Sequence, residues 1–218
     1  MLDLVLDIEP LQAAALVARK RNKLSDAEAS LRKAIKILEA ELSRHDLERY
    51  KDVSSAPEDI REAADRLADC YGSLAGILRR QGQVDEALQF YEKGKKLEER
   101  EEFLIKSTYN RVQWIVTSLQ QRPPADGKLG ADVASTIASV RELIGPSDDP
   151  WISADRALLA ALDGDKKATI DVLDALGATK PIKDVYKSGL PVVQRLHKLL
   201  PGNAALAQAE SWYAARAQ

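Results

Sequence analysis

Residues 68–97 alternate small and large apolar positions around a turn glycine, an arrangement that leaves the segment little choice but two closely packed helices. Tyr71, Leu74, Ala75 and Leu78 recur at helical spacing before Gly82, and Ala87, Tyr91 and Gly94 recur after it. A period of about 3.6 residues puts each set on one face of its helix. The small residues let the two axes approach and the larger ones fill the gaps. Gly82 supplies a left-handed turn at no steric cost.

These positions can be laid over the tetratricopeptide repeat, a helix-turn-helix of about 34 residues. Over residues 68–101, Tyr71 takes the aromatic near the start of helix A, and Leu74 and Ala75 the following pair. Leu78 takes the next apolar position and Gly82 the turn. Ala87, Tyr91 and Gly94 are the small, aromatic and second small residues of helix B; at the closing proline stands Glu99. The segment resembles a tetratricopeptide repeat. A weaker copy lies upstream, with Asn22 for the turn glycine and Ala27, Leu31 and Ala34 in helix B. Its helix A is expected from Pro10 to Lys20, with Leu11, Ala14, Ala15 and Ala18 facing the partner helix. A third copy is read at Leu158 to Asp165, where Gly164 ends one helix and Asp165 caps the next. Thr108 to Leu119 and Ala131 to Leu143 form another pair around the loop Gln121 to Leu129.

The run Asp69 to Gly72, with Arg79, Arg80, Gly82, Ala87, Tyr91 and Gly94, is similar to bacterial helical-repeat modules that accompany signalling or defence effectors. The resemblance implies an all-α chain, an α-α superhelix of tetratricopeptide-like hairpins with a C-terminal capping helix. Residues 1–218 would form one helical-repeat domain, with pairs at 8–46, 55–101, 103–145 and 149–178 and C-terminal helices over 181–218. At 218 residues the chain is long enough for one such array.

Local signals set the expected boundaries. Ser25 to Glu28 and Ser55 to Glu58 both have the capping-box form, with Pro57 in a first turn. The helix from about Ala56 runs on through Leu78, and its extra turns need cover from the long helix expected from Asp26 to Arg44. His45 to Ser54 connect the two. Gly145 to Pro150 is a breaker in which Asp149 caps a helix with Pro150 at its first position. Pro181, Gly189 to Pro191, and Pro201 to Asn203 divide the last third into short pieces. A final helix from Asn203 to about Arg216 carries Leu206, Ala209, Trp212 and Tyr213 on one face.

Composition disfavours several function classes. The net charge is −2 with 30% charged residues, so no global field draws the protein to nucleic acid or an anionic membrane. No run of about 18 apolar residues is present to span a bilayer. The acidic start, with Asp3 and Asp7, does not read as a secretory signal. The single cysteine, Cys70, has no internal disulfide partner, which suits a reducing, cytoplasmic setting.

Catalysis finds no convergent set of groups. Cys70 lies within a packed helix, and His45 and His197 are both distant from it in sequence, so neither a thiol nucleophile nor a metal site assembles. Gly127 to Gly130 lacks the spacing of a phosphate loop. The expectation is a non-enzyme with no cofactor and no metal. The resemblance implies that first helices line the concave face, and both Arg19 and the Arg79-Arg80 pair end first helices. Guanidinium groups there can hold the carboxylates of an acidic protein or peptide partner, although cations also favour helix C-termini with no ligand at all. Gln12, Arg19, Arg79, Arg80, Asn110 and Arg111 are the expected polar lining, and Trp114 is either core or groove wall. A structural subunit that self-associates or completes an assembly is the alternative.

Overall fold

The computed structural model describes residues 2–51, 55–124, 128–145, 147 and 149–217, with side chains from Ile8 onward. Among the described residues the regular structure is helical, with no strand. Two compact units divide the chain, Met1–Trp114 and Ile115–Gln218.

The first unit holds α1 (Leu2–Lys20), α2 (Leu24–Leu42), α3 (Glu58–Arg80), α4 (Val84–Glu98) and the start of α5 (Tyr109–Gln121). α2 packs against both α1 and α3, and α4 packs against α3. The second unit holds the rest of α5, then α6 (Ala131–Leu143), α7 (Pro150–Leu162), α8 (Lys166–Ala178), α9 (Lys183–Leu199) and α10 (Ala204–Ala214). Here α7 packs with α8, and α10 packs with α7, α8 and α9.

One turn is used three times. Asn22, Gly82 and Gly164 have φ of 57°, 82° and 78°, and the next residue's amide returns to a carbonyl five positions back: Lys23 to Ala18, Gln83 to Leu78 and Asp165 to Ala160. This is the Schellman closure, which satisfies carbonyls that the helix end leaves free. The following helix starts two residues after each left-handed residue. Equivalent positions are then buried in each copy. Ala27, Ala87 and Thr169 are fully buried beside the turn, and Leu31, Tyr91 and Leu173 are buried one turn further on. The repeat is therefore a repeat of packing as well as of sequence.

Caps divide into those the sequence anticipated and those it did not. Asp149 accepts from the Trp151 amide with Pro150 at the first position, and Asp165 accepts from the Ala168 amide. Neither capping box forms. α2 already begins at Leu24, because the turn at Asn22 launches it directly, and Glu28 bonds Arg32 and Gln81 instead of reaching back. α3 begins at Glu58 behind Pro57; the Ala56 amide just before it is held by the Glu102 carbonyl.

Other boundaries also move. α1 starts at Leu2 and carries Pro10 within it, and of its expected inner face Ala15 and Ala18 are buried while Ala14 is exposed. α9 runs unbroken through Gly189 and Pro191. Gly189 is there for close approach: a Cβ on it would lie 2.6 Å from the Tyr213 ring of α10. The connection after α2 includes a short 3₁₀ turn, Leu47–Tyr50, with Tyr50 buried. Its end at Ser54, Gly127 in the 121–129 loop, and Pro146 and Asp148 of the breaker lie outside the described residues. In α10, Leu206, Ala209, Trp212 and Tyr213 are buried as a single inner face.

Candidate functional site: the face of the first helices

In the first unit α1 and α3 lie side by side and run in the same direction, since α2 returns the chain between them. Their contacts advance together. Arg66 of α3 reaches Glu9 of α1 at 3.3 Å, and one turn further on Gln12 donates to the Cys70 sulfur at 3.4 Å. Beyond these contacts a cleft of about 260 Å³ opens between the helices. Gln12, Leu16 and Arg19 line it from α1; Asp69, Ser73 and Ile77 line it from α3. Leu16 is 43% exposed there. A second, wider hollow borders the other side of α3, between Asp65, Asp69 and the segment Phe103–Ser107. Asp69 belongs to both, so the two hollows adjoin across α3.

The expected lining residues separate into two groups. Gln12 and Arg19 sit in the cleft. Arg79 is half-buried and donates to Gln113 of α5 at 3.1 Å, and Arg80 is exposed beyond it. Asn110 and Arg111 lie elsewhere, at 2% and 4% exposure. They form the base of α5, where buried Glu98 accepts from the Asn110 amide (2.9 Å), its Nδ2 (2.8 Å) and the Arg111 amide (3.1 Å). Asn110 Nδ2 also donates to the Ala68 carbonyl at 3.0 Å. This cluster ties three helices together: Glu98 caps α5 from the end of α4, while Asn110 fills the slot between Gly72 of α3 and Gly94 of α4. Trp114 is buried under Lys95, whose ammonium lies 4.8 Å from the ring centre.

Electrostatics distinguish the same regions. Burial pushes the Glu98 carboxyl up to about 7, against the pull of its donors and of Arg111. Burial also lowers Arg111. Cys70 is pushed up to about 11, chiefly by burial, so its thiol is a poor nucleophile. Asp65 and Asp69 are both raised, first by burial, and Asp69 further by Asp65. Arg66, the cation beside them, is engaged by Glu9 and Glu62. Among the described residues no group of acidic, histidine or cysteine side chains could hold a metal ion. Nor is any helix there long and apolar enough to cross a membrane.

The family comparison falls on the centre of this unit, since residues 67–100 match the tetratricopeptide repeat model. The chain carries a tetratricopeptide repeat. No curated protein and no solved structure gives a match. The repeat spans the C-terminal part of α3 and all of α4, with Gly82 at its turn. α3 starts before the matched segment, so its first turns, with Glu62 and Asp65, extend beyond the repeat. A tetratricopeptide repeat marks a protein–protein interaction module; Asp69, Ser73, Arg79 and Arg80 lie on its first helix. Asp65, Asp69 and Ser73 were missed as candidates, although their spacing places them on one face of α3, away from the Leu67–Leu74–Leu78 stripe.

Proposed function

We propose that the chain is a non-catalytic adaptor that seats a protein or peptide segment on the face formed by its first helices. The α1–α3 cleft carries this reading, because it combines exposed Leu16 with polar groups at both ends. Apolar anchors supply affinity in such a surface, and charges supply selectivity and orientation. Arg19, Arg79 and Arg80 hold carboxylates of the partner; Gln12 supplies a further hydrogen bond. Asn110 and Arg111 act beneath the face by fixing where α5 begins. The recurrence of one hairpin turn at Asn22, Gly82 and Gly164 supports reading residues 1–218 as a single repeat array. A cytoplasmic setting and regulation of an associated effector complete the proposal, and Cys70, which has no disulfide partner, fits that compartment.

The test is a pull-down from source lysate at low and moderate salt, comparing the protein with its Arg79→Glu/Arg80→Glu variant by mass spectrometry. A partner kept by the parent and lost by the variant, with a nearly unchanged melting temperature, supports the proposal. A partner kept by both puts the interface elsewhere, and recovery of the protein alone favours a self-associating structural subunit.

A further inference from the structure

Glycine destabilises a helix interior relative to alanine, so a glycine inside a helix needs a reason. Among the described residues, Gly72, Gly94, Gly177 and Gly189 have one, since a Cβ on them would lie 2.8, 2.3, 3.1 and 2.6 Å from a packed side chain. Gly76, well inside α3, has none. Its Cβ would meet nothing nearer than 3.8 Å, an ordinary contact, so alanine fits there and would favour the helix.

The two atoms at that distance are hydroxyls, those of Tyr109 on α5 and Tyr91 on α4. The Tyr109 ring lies along α3 from Gly72 to Gly76 and is 44% exposed. The Tyr91 hydroxyl is fully buried and completes no hydrogen bond, although Tyr109 is near enough to act on it. The charges of Arg79 and Arg80, one turn further along α3, also reach it. Arg79 is tied to neutral Gln113, and neither arginine forms an ion pair among the described residues. The helix dipole accounts for the two cations. It does not account for an open stretch of backbone beside them, or for a buried hydroxyl left without an acceptor at a cost in desolvation.

We infer that the surface over Gly76 is an oxyanion subsite of the adaptor face, where a carboxylate or phosphate carried by the partner segment lies against α3, accepts from the Tyr109 hydroxyl and pairs with Arg80. This rests on the adaptor reading and deepens it by fixing where the anionic group sits. Glycine at this position lets the ligand approach the helix backbone closely. Once Tyr109 donates its proton to the oxyanion, its oxygen is free to accept from Tyr91, which gains the partner it lacks. Hydrogen bonds in such a chain strengthen one another, and those to guanidinium are charge-assisted.

Random peptides displayed on phage and panned on the full chain supply the probes. The enriched peptides are measured by fluorescence anisotropy against the parent, Gly76→Gln, Tyr109→Phe and Arg79→Glu/Arg80→Glu. The expected binders carry an Asp or Glu whose change to the amide costs about tenfold or more in affinity, and they lose as much on Gly76→Gln. On Tyr109→Phe the loss is smaller, and it disappears for the amide peptide. Phosphoserine at the same peptide position separates the two sources: tighter binding assigns phosphate, weaker binding a carboxylate. Gly76→Ala should melt higher than the parent; a lower melting temperature would make the glycine structural and overturn the inference. Binders lost on the arginine variant but indifferent to Gly76→Gln and Tyr109→Phe would overturn it and leave the adaptor reading standing. Binders kept by every variant, or no enrichment, would overturn both.

Discussion

Gly94→Ala measures how tightly α5 is fastened to the repeat. A Cβ at residue 94 would stand 2.3 Å from Asn110 Cγ and 2.5 and 2.6 Å from its Oδ1 and Nδ2. No rotamer change in alanine can relieve that, so the Asn110 side chain must leave the slot between α3 and α4. It would give up its bonds to Glu98 and to the Ala68 carbonyl. A hydrogen bond to a charged group contributes about 1.5–3 kcal/mol and a neutral one about 0.5–1.5 kcal/mol. Replacing a mid-helix glycine with alanine returns about 0.5–1 kcal/mol, leaving a net loss of about 2–3 kcal/mol. The assay is urea unfolding followed by far-UV circular dichroism, on Gly94→Ala, Asn110→Ala and the double variant. Asn110→Ala removes all three clashing atoms, so adding Gly94→Ala to it should cost nothing. The pair should therefore show a coupling energy of about 2 kcal/mol, far from additivity. Equal losses from Gly94→Ala in both backgrounds, or a parent-like midpoint for the single variant, would refute the slot.

Three further outcomes are expected. Asp65 and Asp69 have raised carboxyl pKa values in the fold, so the folded state binds protons more tightly than the unfolded one. Their stabilising effect is fullest in acid and is lost as pH climbs from the ordinary aspartate value, 3.8, through their raised folded range; urea midpoints against pH should show this slope in the parent and a flatter one in Asp65→Asn/Asp69→Asn. Cys70 is fully buried with its thiol pushed up to about 11, so a thiol reagent in mildly alkaline buffer should label it only when urea unfolds the first unit. Asn203→Ala removes the cap whose Oδ1 accepts from the Ala205 and Leu206 amides and whose Nδ2 bonds the Ala161 carbonyl; a loss of about 1–2 kcal/mol is expected, read by Trp212 fluorescence in urea.

What the sequence made legible was governed by local physics. Gly82, Gly164 and Asn22 announce their turns because few residues tolerate positive φ, and Asp149-Pro150 announces a helix start because both residues favour it locally. The two serine capping boxes failed because a competing long-range partner was out of view: Gln81 claims Glu28, and the Glu102 carbonyl holds the chain ahead of α3. Gly189 read as a breaker for the same reason, since only the fold brings the Tyr213 ring against it. Asn110 and Arg111 show the limit most directly. A polar pair near the start of a first helix looks identical whether it faces solvent or a buried carboxylate, and Glu98, in the preceding helix, decides the matter.

That ambiguity extends to every charge proposed for the binding face, and stability and binding together resolve it. Arg79 and Arg80 stand where the helix dipole favours cations, so reversing them should weaken both binding and, slightly, the fold. Asp65 and Asp69 stand beside Arg66 but are raised chiefly by burial, so neutralising them should leave the fold unharmed. A residue retained for architecture loses stability when removed. A side chain whose removal costs only affinity is held in place for something outside the chain.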